Sequence, residues 1–211
     1  MSFPLWYIEK KLGYPLPKGI IHVGANEGQE FEAYQAANPN IVLWIEPIPT
    51  VYEKLCQRIS ADKSHYAVRH CCSDVSNNEV VFNIANLGGL ASSMLPLGAS
   101  MQKSYPGICY VNSFKILTRT LDSILEESFA ESQFDLLVMD TQGAELKVLQ
   151  GAHQLLKRVR YVYSEVSEYP LYDGGCTHEQ IDSLLKLYGF KLKNLAINGK
   201  DWGDALYAKG A

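Results

Sequence analysis

The sequence predicts an α/β domain built on a mostly parallel sheet, and three observations carry that prediction. An apolar run ends in a glycine-bearing turn at IIHVGANEGQE (20–30), a second apolar run ends in an acid at IVLWIEP (41–47), and strand-like and helix-like stretches alternate along most of the chain. Parallel strands cannot be joined by tight turns; each needs a crossover, usually a helix that covers one face of the sheet, and this alternation supplies one. At 211 residues with 47% apolar content the chain can bury one full core, so 1–211 reads as a single domain with an N-terminal extension at 1–17.

Residues 19–23 read as the first strand and 27–37 as its helix, stopped by Asn38 and Pro39. Residues 41–46 read as the second strand, and 50–60 carry Val51, Tyr52, Leu55 and Ile59 at helical spacing. A third strand is expected over 65–72, with Asp74, Asn77 and Asn78 turning the chain into an extended stretch at 79–84. From 86 to about 112 the periodicity fades among Gly88, Gly89, Pro96, Gly98, Pro106 and Gly107. That stretch is too rich in Leu, Met and Tyr for a linker, so 86–116 is expected to be a substrate-side loop or lid. Ser92 and Ser93 would offer hydroxyls there, or face solvent as ordinary loop serines.

Thr120 is placed to cap the helix LDSILEES, and FDLLVMD is apolar enough to be a strand buried on both faces, ending in Asp140. GAELKVLQGAHQLLKR follows as a helix with Leu146, Leu149, Leu155 and Leu156 in one stripe, and the strand YVYSEV finishes near Glu165. A helix at 177–188 precedes GFKLKNLAI and ALYAK, which flank the polar turn NGKDWGD and pair as a hairpin, leaving the final strand antiparallel to the others.

The first turn speaks to the ligand. A dinucleotide fingerprint has glycine at its first, third and sixth positions, which here hold Gly24, Asn26 and Gln29. Around the remaining turn (Gly24, Ala25, Asn26, Glu27, Gly28), Glu27 and Glu30 would flank the helix N-terminus, favourably for the helix dipole but unfavourably for a phosphate. A cationic ligand without phosphate suits this turn, and S-adenosylmethionine is one. Glu46 follows Gly24 by 22 positions, close to the roughly 20 expected of a carboxylate that takes ribose hydroxyls. The competing readings are an ordinary strand-to-helix turn and a surface acid before Pro47 and Pro49. Because ligands of open α/β sheets sit beyond the carboxyl ends of the strands, Glu46, Asp140 and Glu165 are expected in one crevice, although Asp140 before TQG also reads as a helix cap.

Composition narrows the function further. A net charge of −4 without a lysine or arginine cluster gives no field for nucleic acid. No run approaches the ~18 apolar residues of a membrane span, and the N-terminus lacks the features of a secretory signal. Five cysteines, an odd number, suggest reduced thiols, and the expected location is cytoplasmic. His65, His70, Cys71 and Cys72 crowd together in sequence, yet strand alternation sends neighbours to opposite faces, so no metal site is expected.

From about residue 18 onward the chain resembles the FkbM family of S-adenosylmethionine-dependent methyltransferases, in the branch carrying HVGAxxGQE near the start and WGDALY at the end. The pieces that carry the resemblance are IIHVGANEGQE, VLWIEPIP, CCSDVSNNEVVF, LASSML, TRTLDSIL, FDLLVMDTQGAELKVLQGA, YVYSEV and WGDALY, in this order and spacing. The resemblance implies the class I methyltransferase fold, a Rossmann-like three-layer sandwich on a seven-stranded sheet. It implies donor contacts from the turn at Gly24, Ala25, Asn26 and Gly28, ribose held by Glu46, adenine near Ser73 and Asp74, and the methionine end bordered by Asp140 and Gln142. TQG replaces the family's commoner valine-glutamate-glycine, which removes one carboxylate and makes a metal-dependent site less plausible.

Methyl transfer from a sulfonium is an in-line displacement that needs alignment and a base for the acceptor's proton. Asp140 is the first choice of base and His22 the second, unless His22 is a core histidine; Glu165 would orient either of them or bind the acceptor. Tyr169 and Tyr172 have flat faces suited to stacking on a sugar ring, or to packing at the rim. The expected activity is O-methylation of a hydroxyl on a sugar, glycan or small secondary metabolite, with a glycan or nucleotide-sugar favoured. An NAD-type oxidoreductase and a non-catalytic cofactor-binding module of the same fold are the alternatives.

Overall fold

The apolar runs and amphipathic stretches resolve, in a computed structural model describing residues 4–198 and 201–210, into this order: α1 (Leu5–Lys10), β1 (Gly19–Val23), α2 (Phe31–Ala37), β2 (Ile41–Ile45), α3 (Pro49–Ile59), β3 (His65–Val68), β4 (Cys71–Cys72), β5 (Glu79–Ala85), α4 (Ala99–Ser104), β6 (Tyr110–Arg119), α5 (Leu121–Ser128), β7 (Leu136–Met139), α6 (Glu145–Gln150), α7 (His153–Arg158), β8 (Tyr161–Ser167), α8 (His178–Leu187), β9 (Phe190–Asn198) and β10 (Trp202–Lys209). Part of the polar turn joining β9 to β10, at 199–200, lies outside the described residues, as do 1–3 at the start of the N-terminal extension and 211.

Seven strands form one sheet in the order β3-β2-β1-β7-β8-β10-β9. Pairing is parallel from β3 through β8, and β10 runs antiparallel to both of its neighbours. The α/β class and the reversed last strand are those expected. β7 is the central strand with β1 beside it, and every residue of both is buried, as strands covered on both faces require. Ile21, Val23, Leu43, Leu137 and Met139 pack on one side against α5, α6, α7 and α8. Ile20, Val42, Trp44, Leu136 and Val138 pack on the other against α1, α2 and α3. Period-two alternation thus builds two cores, one per face, and gives the three layers.

Caps set several helix starts. Thr120 accepts the Ser123 N–H at the start of α5, and Thr177 and Gln180 form a reciprocal capping box on α8. Elsewhere the structure departs from expectation. The helix expected from 27 begins only at Phe31, after a turn through Asn26 and Gly28 at positive φ. The strand expected over 65–72 divides: β3 stays in the main sheet, while β4 leaves it to pair with β6 in a second sheet ordered β4-β6-β5. The loop expected over 86–116 is irregular only to 109 and contains α4; Tyr110–Arg119 is a ten-residue strand. The long helix after Asp140 breaks into α6 and α7 at Gly151, where a Cβ would lie 2.1 Å from the Ser73 carbonyl oxygen.

Candidate functional site

A cavity of about 410 Å³ opens beyond the carboxyl ends of β1, β2, β7 and β8, within the size range of small-molecule sites. One wall comes from the main sheet. Gly24 follows β1 with φ +78, and a Cβ there would meet the Asp140 carbonyl oxygen at 1.8 Å, so only glycine lets the two strand ends run this close. The next bend places Asn26 at φ 47, and its N–H donates to Glu46 Oε2 at 2.9 Å. The Ile48 N–H donates to the other oxygen, Oε1, at 2.8 Å. Glu46 is only 4% exposed. Burial pushes its carboxyl up to about 7 despite the lowering effect of these two N–H groups.

Deeper along this wall, at the tips of β7 and β8, Asp140, Gln142 and Glu165 line the cavity. Gln142 Nε2 donates to Asp140 Oδ1 at 2.5 Å and to Glu165 Oε2 at 2.7 Å, and Gln142 Oε1 accepts from Tyr172 Oη at 2.6 Å. Burial, and then the neighbouring Asp140 and Glu145 carboxylates, hold Glu165 well above the usual carboxylate range. Glu145 folds back over its own helix start, accepting from the Thr141 N–H at 2.8 Å and the Thr141 hydroxyl at 3.0 Å. Its carboxyl is also raised, chiefly by burial.

The opposite wall comes from the second sheet and the 86–109 segment. Cys71, Phe82 and Ile48 belong to one apolar cluster, and Met101, Leu171 and Tyr172 belong to another that Tyr105, Ile108 and Trp202 flank. Trp202 Nε1 donates to Tyr105 Oη at 3.0 Å, which ties the segment after α4 to the start of β10.

Of the residues expected at the site, Gly24, Asn26, Glu46, Asp140, Gln142, Glu165, Ser92 and Tyr172 line the cavity; the others are corrections. His22 lies on the α2 side of the sheet, with Nδ1 3.1 Å from Tyr34 Oη and its ring stacked on Trp44. It is a core histidine that burial pushes down to about 4, and it does not face the cavity as a base. Ala25 is buried in that same core, and Gly28 accommodates α3, where a Cβ would sit 2.8 Å from Leu55 Cδ1. Ser73 and Asp74 bond each other at 2.7 Å, and Asp74 lies 3.9 Å from Lys147 Nζ. Because β4 has turned into the second sheet, the cavity meets His70, Cys71 and Cys72 in their place.

Ser92 Oγ accepts from the Ala85 N–H at 3.0 Å, and Ser93 Oγ donates to the Gln142 carbonyl at 2.8 Å, so both hydroxyls stitch the loop down. Tyr169 is absent from the lining and bonds Asp201. Glu145, Tyr105, Met101 and Trp202 line the cavity but were not anticipated from the sequence. Trp202 had a signal in WGDALY, and Glu145 had one in its place three residues into a glycine turn that opens a helix.

Residues 22–192 match the methyltransferase FkbM domain. The 2-O-methyltransferase NoeI of Sinorhizobium fredii is 27% identical over 172 residues, which make up 79% of this chain and 70% of that protein. A solved structure from Streptococcus agalactiae, of the NADB-Rossmann superfamily, superposes with a TM-score of 0.52 at 10% identity, covering 100% of this chain and 69% of that one. A candidate RNA methyltransferase from Pyrococcus horikoshii gives 0.51 at 12% identity, covering 97% and 82%. At such identities the structural likeness establishes the Rossmann-like fold alone.

Proposed function

This chain belongs to the FkbM methyltransferase family, and from that membership together with the chemistry of the cavity we propose that it methylates an oxygen, a hydroxyl on an uncharged sugar, glycan or small secondary metabolite, with S-adenosylmethionine as donor. The observation that carries the choice of donor is electrostatic. Glu46, Asp140, Glu145 and Glu165 line the cavity, and among the described residues no lysine or arginine does. Such a lining favours a cationic nucleoside and opposes a pyrophosphate, which needs cationic or N–H partners. The same feature argues against an NAD-type oxidoreductase, and against the nucleotide-sugar acceptor expected from the sequence.

When bound, S-adenosylmethionine supplies an electrophilic methyl group on a sulfonium that leaves as a neutral thioether. Each Glu46 oxygen already accepts one backbone N–H, which leaves one lone pair on each, directed to take vicinal ribose hydroxyls. Asn26 and Gly24 give the backbone its close approach, and the apolar slot of Ile48, Cys71 and Phe82 suits a flat base. Asp140, whose side chain is open to the cavity, is the base that takes the hydroxyl proton as the new C–O bond forms. Transfer to oxygen is supported by the likeness to a 2-O-methyltransferase.

A cytoplasmic location belongs to the same proposal. Cys56, Cys71, Cys72, Cys109 and Cys176 are free thiols, as a reducing compartment keeps them. Among the described residues no helix is long and apolar enough to cross a membrane. Titration calorimetry with S-adenosylmethionine and with NAD, followed by a radiolabelled-methyl screen over neutral sugars, tests the assignment. We expect heat from the first ligand only and label on a hydroxyl oxygen. NAD binding in place of the sulfonium compound would overturn it, and donor binding with no transfer to any acceptor would favour the non-catalytic reading.

A further inference from the structure

Gln142 sits at φ 56, a left-handed conformation in which a non-glycine residue persists only when its surroundings hold it. Its main-chain carbonyl accepts from Ser93 Oγ at 2.8 Å, and its side chain is fully engaged: one amide hydrogen on Asp140, the other on Glu165, and the oxygen on Tyr172 Oη. The amide nitrogen faces the two acids and the amide oxygen faces the Tyr172 hydroxyl. The carboxyls of Asp140 and Glu165 accept from the same nitrogen, at 2.5 and 2.7 Å, and so lie side by side.

Two carboxyls in contact cannot both ionise freely, and the groups around this pair add to the difficulty. Glu145 faces it from the start of α6, Asp204 from β10 with Tyr163 hydrogen-bonded to it from β8, and Tyr172 from the segment after β8. On the β1 side, Asp140 also interacts with Glu46 and with the buried, neutral His22. No lysine or arginine among the described lining residues offsets these acids. The two amide hydrogens of Gln142 are donated into this group of acids.

We propose that Gln142, oriented by Tyr172, is a positioning residue whose two amide hydrogens bridge the Asp140 and Glu165 carboxyls and hold the Asp140 oxygens open to the cavity. This rests on the reading of Asp140 as the base, but the bridge can be tested without any acceptor. Hydrogen bonds donated to carboxylates favour their ionised form, so loss of the amide should raise the titration of Glu165 further.

Carboxyl ¹³C NMR of the full chain, labelled in its Glu side chains, follows Glu165 directly. In Gln142→Leu its midpoint should move up by about one pH unit; in Gln142→Glu, which adds a third acid, it should move further. Tyr172→Phe removes one oxygen, frees the amide to rotate and should give a smaller upward shift; as the milder change, it keeps the test open if Gln142→Leu fails to fold. Once an acceptor is in hand, the acidic limb of kcat should move by the same interval while donor affinity stays within about threefold. Midpoints unmoved in a folded Gln142→Leu, or in Tyr172→Phe if the former does not fold, would overturn the proposal. Shifted midpoints in a protein that fails to bind S-adenosylmethionine would leave the bridge standing and sink the donor assignment instead.

Discussion

The two walls of the cavity are held by different forces. The wall at the tips of β1 and β2 is held by backbone: Gly24 lies against the Asp140 carbonyl, and Glu46 is pinned by two main-chain N–H groups. The wall facing it is held chiefly by apolar side chains, among them Leu95, Met101, Leu171 and Tyr172, with side-chain hydrogen bonds from Ser93, Tyr172 and Trp202 fastening it. Backbone contacts allow no change of size, whereas a packed apolar cluster accepts swaps of similar volume. The strand-tip wall is thus the fixed half of the site, and the cluster of Leu95, Met101, Leu171 and Tyr172 is where the shape of the cavity can drift without loss of the fold.

The sharpest way to break this comparison is to change one small group on each wall. Gly24→Ala drives a methyl group into a carbonyl at positive φ and should cost about 3 kcal/mol or more, enough to lose the fold at moderate temperature. Met101→Leu, on the other wall, should cost less than about 1.5 kcal/mol. Thermal melts followed by circular dichroism compare the two, and equal losses would mean that the walls do not differ as described.

The next effect in size belongs to chemistry. Asp140→Asn keeps the shape of the side chain but removes the base, and should lower kcat by about 100-fold or more while donor affinity changes by less than about threefold. Methyl transfer in single-turnover mode, measured beside calorimetry, separates the two quantities; wild-type turnover in this variant would move the base elsewhere.

Glu46→Ala should weaken S-adenosylmethionine binding by about 10- to 100-fold, the worth of one or two hydrogen bonds to a charged group. Since burial sets the Glu46 carboxyl at about 7, and ribose hydroxyls donate best to the ionised form, wild-type donor affinity should rise as pH increases through 7 and level off above it. Donor titrations across this range should give a flat profile for the variant; a wild-type profile that falls through the same interval would remove Glu46 from the donor site. The sign for folding is opposite. The native carboxyl holds its proton to about 7 and the unfolded one only to its ordinary value of 4.5, so Glu46's contribution to the stability of the free protein declines as pH rises between those values.

The smallest expected effect is at the edge of the apolar wall. Trp202→Phe removes the bond to Tyr105, worth about 1 kcal/mol, and should alter the acceptor KM severalfold with donor affinity unchanged. A donor affinity that moved with it would show that the two walls are coupled.

Much of this architecture was legible before any coordinates. The glycine turn after an apolar strand, the acid at the tip of the next, and the acids ending two later apolar runs marked Gly24, Glu46, Asp140 and Glu165, all of which line the cavity. Those signals are local, because a strand's period and its terminal residue are read within a few positions. β6 escaped notice because half of its residues are exposed and it carries polar Asn112, Ser113 and Lys115 without a clean apolar alternation. Ser73 and Asp74 were misplaced because nothing nearby in sequence says that Cys71 and Cys72 pair with Thr118 and Arg119. His22 was misassigned because a single histidine in a strand does not announce its face.

By itself, then, the amino-acid sequence determined the α/β class, the place of each main-sheet strand and the acids at the strand tips, since periodicity and turn chemistry act over short stretches of chain. Only the tertiary structure decided which of those acids stand side by side, that Gln142 bridges two of them, that His22 faces the core, and that a second sheet supplies part of the far wall. These depend on contacts between residues tens of positions apart, such as Gln142 with Glu165 and Tyr172, and such contacts exist only once both cores have closed and brought the strand ends together.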